Sequence, residues 1–270
     1  MPGASETYLH GHHESVLRSH RWRTAENSAG YLLPRLAVSA RVLDIGCGPG
    51  TITAGLAALV PGGRVIGLDQ AAGVLAEAKA EAERQRLRNV SFEVGDTYQL
   101  AFADNSFDVV HAHQVLQHLA DPVAALAEMR RVCRPGGIVA ARDADYGGMC
   151  WYPGDPELAE WLALYRRVAA RLGGEPDAGR RLPSWARQAG FRQVEASGSS
   201  WCYASPADRA WWGSTWAERL TASPFGDRAA EHGMATRDDL SRLANAWQGW
   251  AASEDGWFFI PHGEILCVKS

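Results

Sequence analysis

Asp44, Asp69 and Asp96 each stand at or just past the end of a short apolar run, and Asp96 directly follows a glycine. Asp44 belongs to Arg41-Val-Leu-Asp-Ile45, which breaks into Gly46-Cys-Gly48-Pro-Gly50. Glycines at alternate positions allow a tight turn and close approach of backbone to a ligand. Asp69 closes the run Arg64-Val-Ile-Gly-Leu68. An acid about 20 positions beyond a glycine loop, at the end of the next strand, can bind both hydroxyls of a ribose. Gln70 beside it would face the edge of a nucleobase, and Asp96-Thr97 follow the run Val90-Ser-Phe-Glu-Val94. The negative charge of Asp44 opposes a pyrophosphate. Thr51 also stands where a dinucleotide fingerprint has its third glycine. A cationic nucleoside ligand suits this loop better than a nicotinamide dinucleotide.

A second group of reactive side chains lies in His111-Ala-His-Gln-Val-Leu-Gln-His118. Adjacent strand residues point to opposite faces, so His111 and His113 share a face. Imidazoles so placed could hold a metal, act as a general base, or be hydrogen-bonded structural groups. A third group, Arg142-Asp-Ala-Asp-Tyr146, follows the apolar run Ile138-Val-Ala-Ala141. Asp143, Asp145 and Tyr146 would therefore reach the carboxyl edge of a sheet, where ligands collect in open α/β folds.

These groups need a sheet to converge. The runs 41–45, 64–68, 90–94, 107–110 and 138–141 read as strands, with helices over 51–59 and 71–87 between them. Asp121-Pro122 starts a further helix, since Asp caps well and Pro suits the first turn. Pro135-Gly136-Gly137 reads as a turn. Residues 157–172 and 182–189 read as helices, 191–203 as a sixth strand and 257–268 as the last one. The expected fold is α/β: a Rossmann-like, mostly parallel sheet of about seven strands with flanking helices.

The glycine stretch with Asp69, Asp96, the 111–118 segment and the Pro-Gly-Gly turn, in that order, resembles the class I S-adenosylmethionine-dependent methyltransferases. The branch is the one that includes the ubiquinone/menaquinone-type enzymes. The likeness runs from about Arg41 to Gly137. It implies S-adenosylmethionine as cofactor, with S-adenosylhomocysteine as product and a sulfonium and an ammonium for Asp44 to face. It further implies cofactor contacts from Gly46, Cys47, Gly48, Asp69 and Gln70, an adenine contact at Asp96 and Thr97, and a main-chain contact near Ala112 and His113. His118 matches a histidine common just beyond. His113 and His118 are also the candidates for a base, should the acceptor atom be oxygen.

The flanks are less explicit. Ser15 to Leu36 has apolar residues at near-helical spacing. Residues 1–40 are expected to form an arm or lid that brings Tyr8, His12 and Arg23 toward the cofactor or the acceptor. His10, His12 and His13 have no acidic or Cys partner at ligand spacing, and no metal is expected. Most of the eleven tryptophans follow residue 150. Residues 207–255, with Trp211, Trp212, Trp216, Trp247 and Trp250, are expected to be a helical cap inserted into a core of 41–206 and 256–270. Asp143, Tyr146 and Trp212 are the expected acceptor contacts.

Composition bounds the function. A formal charge of −4 argues against nucleic acid as the partner, and no stretch approaches the roughly 20 apolar residues of a membrane span. Five scattered cysteines without a CxxC pair fit a reduced, cytoplasmic protein. The expected activity is methyl transfer to a small, apolar or aromatic acceptor. The alternative is a protein of this fold that binds the cofactor without methylating. A homodimer is left open.

Overall fold

The computed structural model describes residues 14–270. Its strands are β1 (Arg41–Ile45), β2 (Arg64–Asp69), β3 (Val90–Val94), β4 (Phe107–His113), β5 (Cys133–Ala144), β6 (Cys150–Tyr152), β7 (Gln193–Tyr203) and β8 (Trp257–Val268). They form one sheet in the order 3-2-1-4-5-8-7. Strands β1 to β5 are parallel, and β8 runs antiparallel between β5 and β7. Residues 257–259 of β8 outrun the end of β5 and pair there with β6. The central strands are largely apolar because helices cover both faces: Val42, Leu43, Ile45, Val110, Ala112 and Val139 to Ala141 are fully buried. The chain builds outward from β1 to β3 and then returns to β4 on the other side of β1. That reversal opens a crevice at the carboxyl ends of β1 and β4.

The helices are α1 (Glu14–Arg21), α2 (Ala25–Ala29), α3 (Thr51–Leu59), α4 (Leu75–Arg84), α5 (Pro122–Val132), α6 (Pro156–Arg171), α7 (Ala178–Gln188), α8 (Pro206–Ala222), α9 (Pro224–Glu231) and α10 (Arg237–Ala252). One apolar cluster joins α2 and α3 to one face of the sheet, and a second joins α5 and α7 to the other. A third, largely aromatic cluster unites α6, α8, α9 and α10 with the free ends of β7 and β8.

Several boundaries differ from the sequence reading. The helix expected over 15–36 is broken: it stops at Arg21 and restarts at Ala25, with a 3-10 turn at Leu33–Arg35. Thr24 causes the restart, since it accepts from the Asn27 amide while the Asn27 side chain accepts from the Thr24 amide. The helix expected over 71–87 is shorter, Leu75–Arg84. Pro135 to Gly137 lie within β5, where Gly136 takes φ +72° and the ladder to β4 shifts register between Phe107 and Val109. The three residues of β6 carry too short a pattern to read in advance.

Candidate active site

The crevice is floored by the glycine loop. Gly46 takes φ +66°, and a Cβ there would lie 2.3 Å from Cγ2 of Val115. The Gly46 and Cys47 amides both donate to the Leu68 carbonyl, which seats the loop on the end of β2. The Gly48 amide donates to Oδ2 of Asp69 at 3.0 Å, and the Ala71 amide donates to Oδ1 at 2.9 Å. The acid at the end of β2 and the glycine loop are thus one hydrogen-bonded unit. Gln70 beside it is exposed, as is Asp96, whose Oδ1 accepts from the Tyr98 amide at 2.9 Å. Thr97 is half-buried next to it. These residues line up along the ends of β1, β2 and β3.

Asp44 is placed differently from its neighbours. It is 2% exposed. One carboxylate oxygen accepts from Oγ1 of Thr53, and the other pairs with Nδ1 of His111 at 2.7 Å. Both oxygens are therefore engaged within the fold, beneath the loop. Cys47 is also buried, and desolvation together with the Asp44 and Asp69 charges drives its thiol far above the usual range. It is a packing residue with no thiolate character.

At the end of β4, Ala112 is fully buried, and His113 is 5% exposed with neither ring nitrogen partnered. Burial and the nearby charges of Arg23 and Arg142 push its pKa well below the usual value, so the ring is neutral. Gln114 then takes φ +52°, a left-handed conformation rare outside glycine. Its Oε1 accepts from Arg23 at 2.7 Å, and its amide nitrogen meets Nε2 of His262 at 2.9 Å. Side-chain type does not advertise Gln114, and the sequence reading missed it. Strained, non-glycine backbone of this kind clusters at functional sites. His118 packs against Gln117, its Nε2 3.0 Å from the amide nitrogen. Burial and Arg23 bring its pKa down to about 3.

Beyond Gln114 the crevice opens into a narrow cleft. Tyr146 and Trp212 line it together with Trp201, Tyr203, Trp211 and Arg219. Tyr146 stacks on Tyr165 at 4.0 Å, and Tyr203 stacks on Trp212 at 4.5 Å. Asp143 is not part of this lining. It is fully buried, one oxygen accepts from the Gln117 amide, and burial raises its carboxyl to about 8. Asp145 pairs with Arg180. Arg219 carried a readable signal: it stands three and seven positions after Trp216 and Trp212, on the buried stripe of α8.

The N-terminal segment closes one side. The His20 carbonyl accepts from Oγ1 of Thr51, Arg21 pairs with Glu77 of α4, and Arg18 pairs with Glu218 of α8. Trp22 packs edge-on against Trp201, whose Nε1 donates to the Asn27 carbonyl. Tyr8 and His12 lie outside the described residues, as do His10 and His13. No described helix is long and apolar enough to cross a membrane.

A family model described as a methyltransferase domain matches residues 37–190. The chain belongs to the class I S-adenosylmethionine-dependent methyltransferases. An uncharacterized methyltransferase of Schizosaccharomyces pombe is 37% identical, covering 97% of this chain and 96% of its own. A probable methyltransferase of Aspergillus luteorubrus is 33% identical over 99% of both. Ubiquinone/menaquinone-type enzymes are distant relatives that match a smaller part of the chain. Among solved structures, the Haemonchus contortus phosphoethanolamine N-methyltransferase 2 complex with S-adenosylhomocysteine superposes with a TM-score of 0.58 at 19% identity. That match covers 94% of this chain and 56% of the other. This methyltransferase thus pairs the family's sheet order with a tryptophan-rich helical group over the carboxyl edge.

Proposed function

We propose that this methyltransferase acts on a small, flat aromatic or apolar acceptor bound in the cleft under α8. The observation that carries the proposal is the cleft wall: Tyr146, Trp201, Tyr203, Trp211 and Trp212 line a space that adjoins the end of β4. Small-molecule sites are concave, mostly apolar and aromatic, with few polar groups. In this reading residues 207–255 serve as cap, with α6 packed into the same cluster, and residues 1–40 serve as lid over a core of 41–206 and 256–270.

The residues present fit the cofactor. Gly46 and Gly48 both take positive φ and present bare backbone at their positions, and His113 offers two buried, unpartnered ring nitrogens at the end of β4. We assign Gly46, Cys47 and Gly48 to the methionine portion through their backbone, Asp69 to the ribose hydroxyls, and Gln70, Asp96 and Thr97 to the adenine. Ala112, His113 and His118 complete the methionine end. Bound S-adenosylmethionine supplies a methyl group already activated by its sulfonium. The protein's work is then alignment and exclusion of water, for which the strap of residues 18–23 and the aromatic wall are suited. His113 and His118 are neutral at physiological pH. They can serve as hydrogen-bonding groups, and burial leaves them weak as bases. Asp44 supports this floor electrostatically from beneath through His111.

Calorimetry with S-adenosylhomocysteine tests the assignment. Asp69→Ala should lose at least about tenfold in affinity while the fold persists by circular dichroism. Unchanged affinity would remove Asp69 from the ribose site. Release of S-adenosylhomocysteine should be seen with hydroxylated aromatics or quinones. Turnover confined to polar aliphatic acceptors would refute the acceptor reading.

A further inference from the structure

We propose that Gln114 is a positioning residue for methyl transfer: it fixes the ring of His262, and through that ring the spacing between His113 at the cofactor end and Trp201 in the cleft wall. This rests on the cofactor and acceptor assignments above and deepens them. The backbone raises the question first. Gln114 takes φ +52° immediately after β4. Glycine adopts a left-handed conformation without a steric penalty, and asparagine visits it more readily than most residues. If Gln114 served only the turn, glycine would serve it better. The side chain must supply the reason for a glutamine there.

That side chain stands in a hydrogen-bond chain whose direction is set at both ends. At one end a guanidinium nitrogen of Arg23 donates to Oε1 of Gln114 at 2.7 Å, and a guanidinium has no acceptor. The atom of Gln114 that lies 2.9 Å from Nε2 of His262 is therefore its amide nitrogen, which can only donate. At the other end Nδ1 of His262 lies 3.1 Å from the Ile260 carbonyl, which can only accept. The two ends agree: the ring carries its proton on Nδ1 and offers the Nε2 lone pair to Gln114. Burial and the charges of Arg142 and Arg23 hold the ring's pKa well below its usual value, so it is neutral. A carboxylate at position 114 would have no proton to give Nε2, and an ammonium would have no acceptor for Arg23. An amide serves both neighbours.

The ring so fixed lies between two parts of the site. His262 meets Trp201 edge-on at 4.4 Å, and it lies nearly parallel to His113 at 6.3 Å. Trp201 is held further by its indole N–H, which donates to the Asn27 carbonyl, and by Arg23, whose guanidinium lies 5.6 Å from the ring centroid. Gln114 thereby ties the segment near Arg23, the end of β4 and the cleft wall into one unit. Such a tie matters for this reaction, because a misplacement of about 1 Å can cost about a hundredfold in rate. The same logic recurs three residues on. The Ala144 amide donates to Oε1 of Gln117 at 3.2 Å, so the Gln117 amide nitrogen donates to Nε2 of His118 at 3.0 Å. Both glutamines of this turn hold a neutral imidazole in one tautomer.

Nitrogen NMR of histidine-labelled protein reads the assignment in solution, with the His262 signals identified by their loss in His262→Asn. In the wild type Nδ1 should carry the proton and Nε2 none. In Gln114→Glu the carboxylate can only accept, so Nε2 should become protonated. A proton on Nε2 in the wild type, or an unaltered pattern in Gln114→Glu, overturns the proposal. Gln114→Gly relieves the backbone and deletes the chain. It should bind S-adenosylhomocysteine within about threefold of the wild type, yet lose about tenfold or more in kcat on a hydroxylated aromatic that the wild type methylates. An unchanged kcat overturns the proposal. Affinity for S-adenosylhomocysteine lost in step with kcat also overturns it, since Gln114 would then serve cofactor binding instead of alignment. If Gln114→Gly does not fold, the wild-type tautomer and Gln114→Glu decide alone. Absence of turnover on any hydroxylated aromatic or quinone would strike the acceptor reading, while the labelled histidine still decides the role of Gln114.

Discussion

Single residues at the strand ends divide into those that present groups to the crevice and those that hold the floor beneath it. Asp69 faces the glycine loop, whereas Asp44, one strand away, is locked between Thr53 and His111. Asp143 is a further floor residue, and its burial has a measurable consequence. The unfolded carboxyl loses its proton near pH 4, while the native one keeps it until about pH 8. Between those values the native state binds the extra proton, so Asp143 makes stability fall as pH rises. Asp143→Asn keeps an oxygen to accept from the Gln117 amide and removes the titration. Urea denaturation at pH 5 and pH 9 should show the variant gaining on the wild type by about 1–3 kcal/mol as pH rises. A difference independent of pH would show that Asp143 is ionised in the fold.

At the scale of elements, the tryptophans of α6, α8 and α10 have two distinct uses. Trp161, Trp216 and Trp247 are fully buried, and Trp161 meets both others edge-on at 4.4 and 4.7 Å. These rings hold three helices to one another and to Phe258 of β8. Trp211 and Trp212, one turn earlier on α8, face the cleft instead. Trp161→Ala should therefore cost about 3–5 kcal/mol of stability, because a large ring leaves a cavity among side chains that cannot collapse into it. S-Adenosylhomocysteine affinity at low temperature should stay near wild type. A thermal melt within a degree or two of wild type would mean that the helices pack adequately without this ring. The ion pair of Arg142 with Glu264, buried across β5 and β8, belongs to the same scale. It sits under Trp201, with the Arg142 guanidinium 4.9 Å from the ring centroid, and supports the cleft wall from below.

For the molecule as a whole, the segment from α1 to Arg23 links parts of the chain that are distant in sequence. It bonds to Thr51 and Glu77 on the cofactor half, to Gln114 at the switch point, and to Thr215, Glu218 and Arg219 on α8. The exposed ion pairs in this set contribute little each. Their value lies in where they place Trp22 and Arg23. Removal of residues 1–21 should weaken S-adenosylhomocysteine binding by about tenfold or more, since the cofactor's methionine end would then open to water. Calorimetry on the truncated chain checks this. Affinity equal to that of the full chain would assign the segment a structural role only.

The amino-acid sequence by itself determined the fold class and the cofactor. Glycines at 46, 48 and 50, acids at the ends of successive apolar runs, and strand-length periodicity are local signals, and local physics dictates them. They announce where the backbone must turn tightly and where a charge must meet a ligand. The aromatic cleft was not legible in this way, because its walls come from β7, α8 and the segment near Arg23, brought together only by packing. The break at Trp22–Arg23, the left-handed Gln114 and the engagement of both Asp44 oxygens depend on neighbours remote in sequence. Among the tryptophans, position along the chain does not distinguish a ring that fills a core from one that lines the cleft. Tertiary structure decides it, through whether a ring on the buried stripe of α8 meets α6 and α10 or the open end of the sheet.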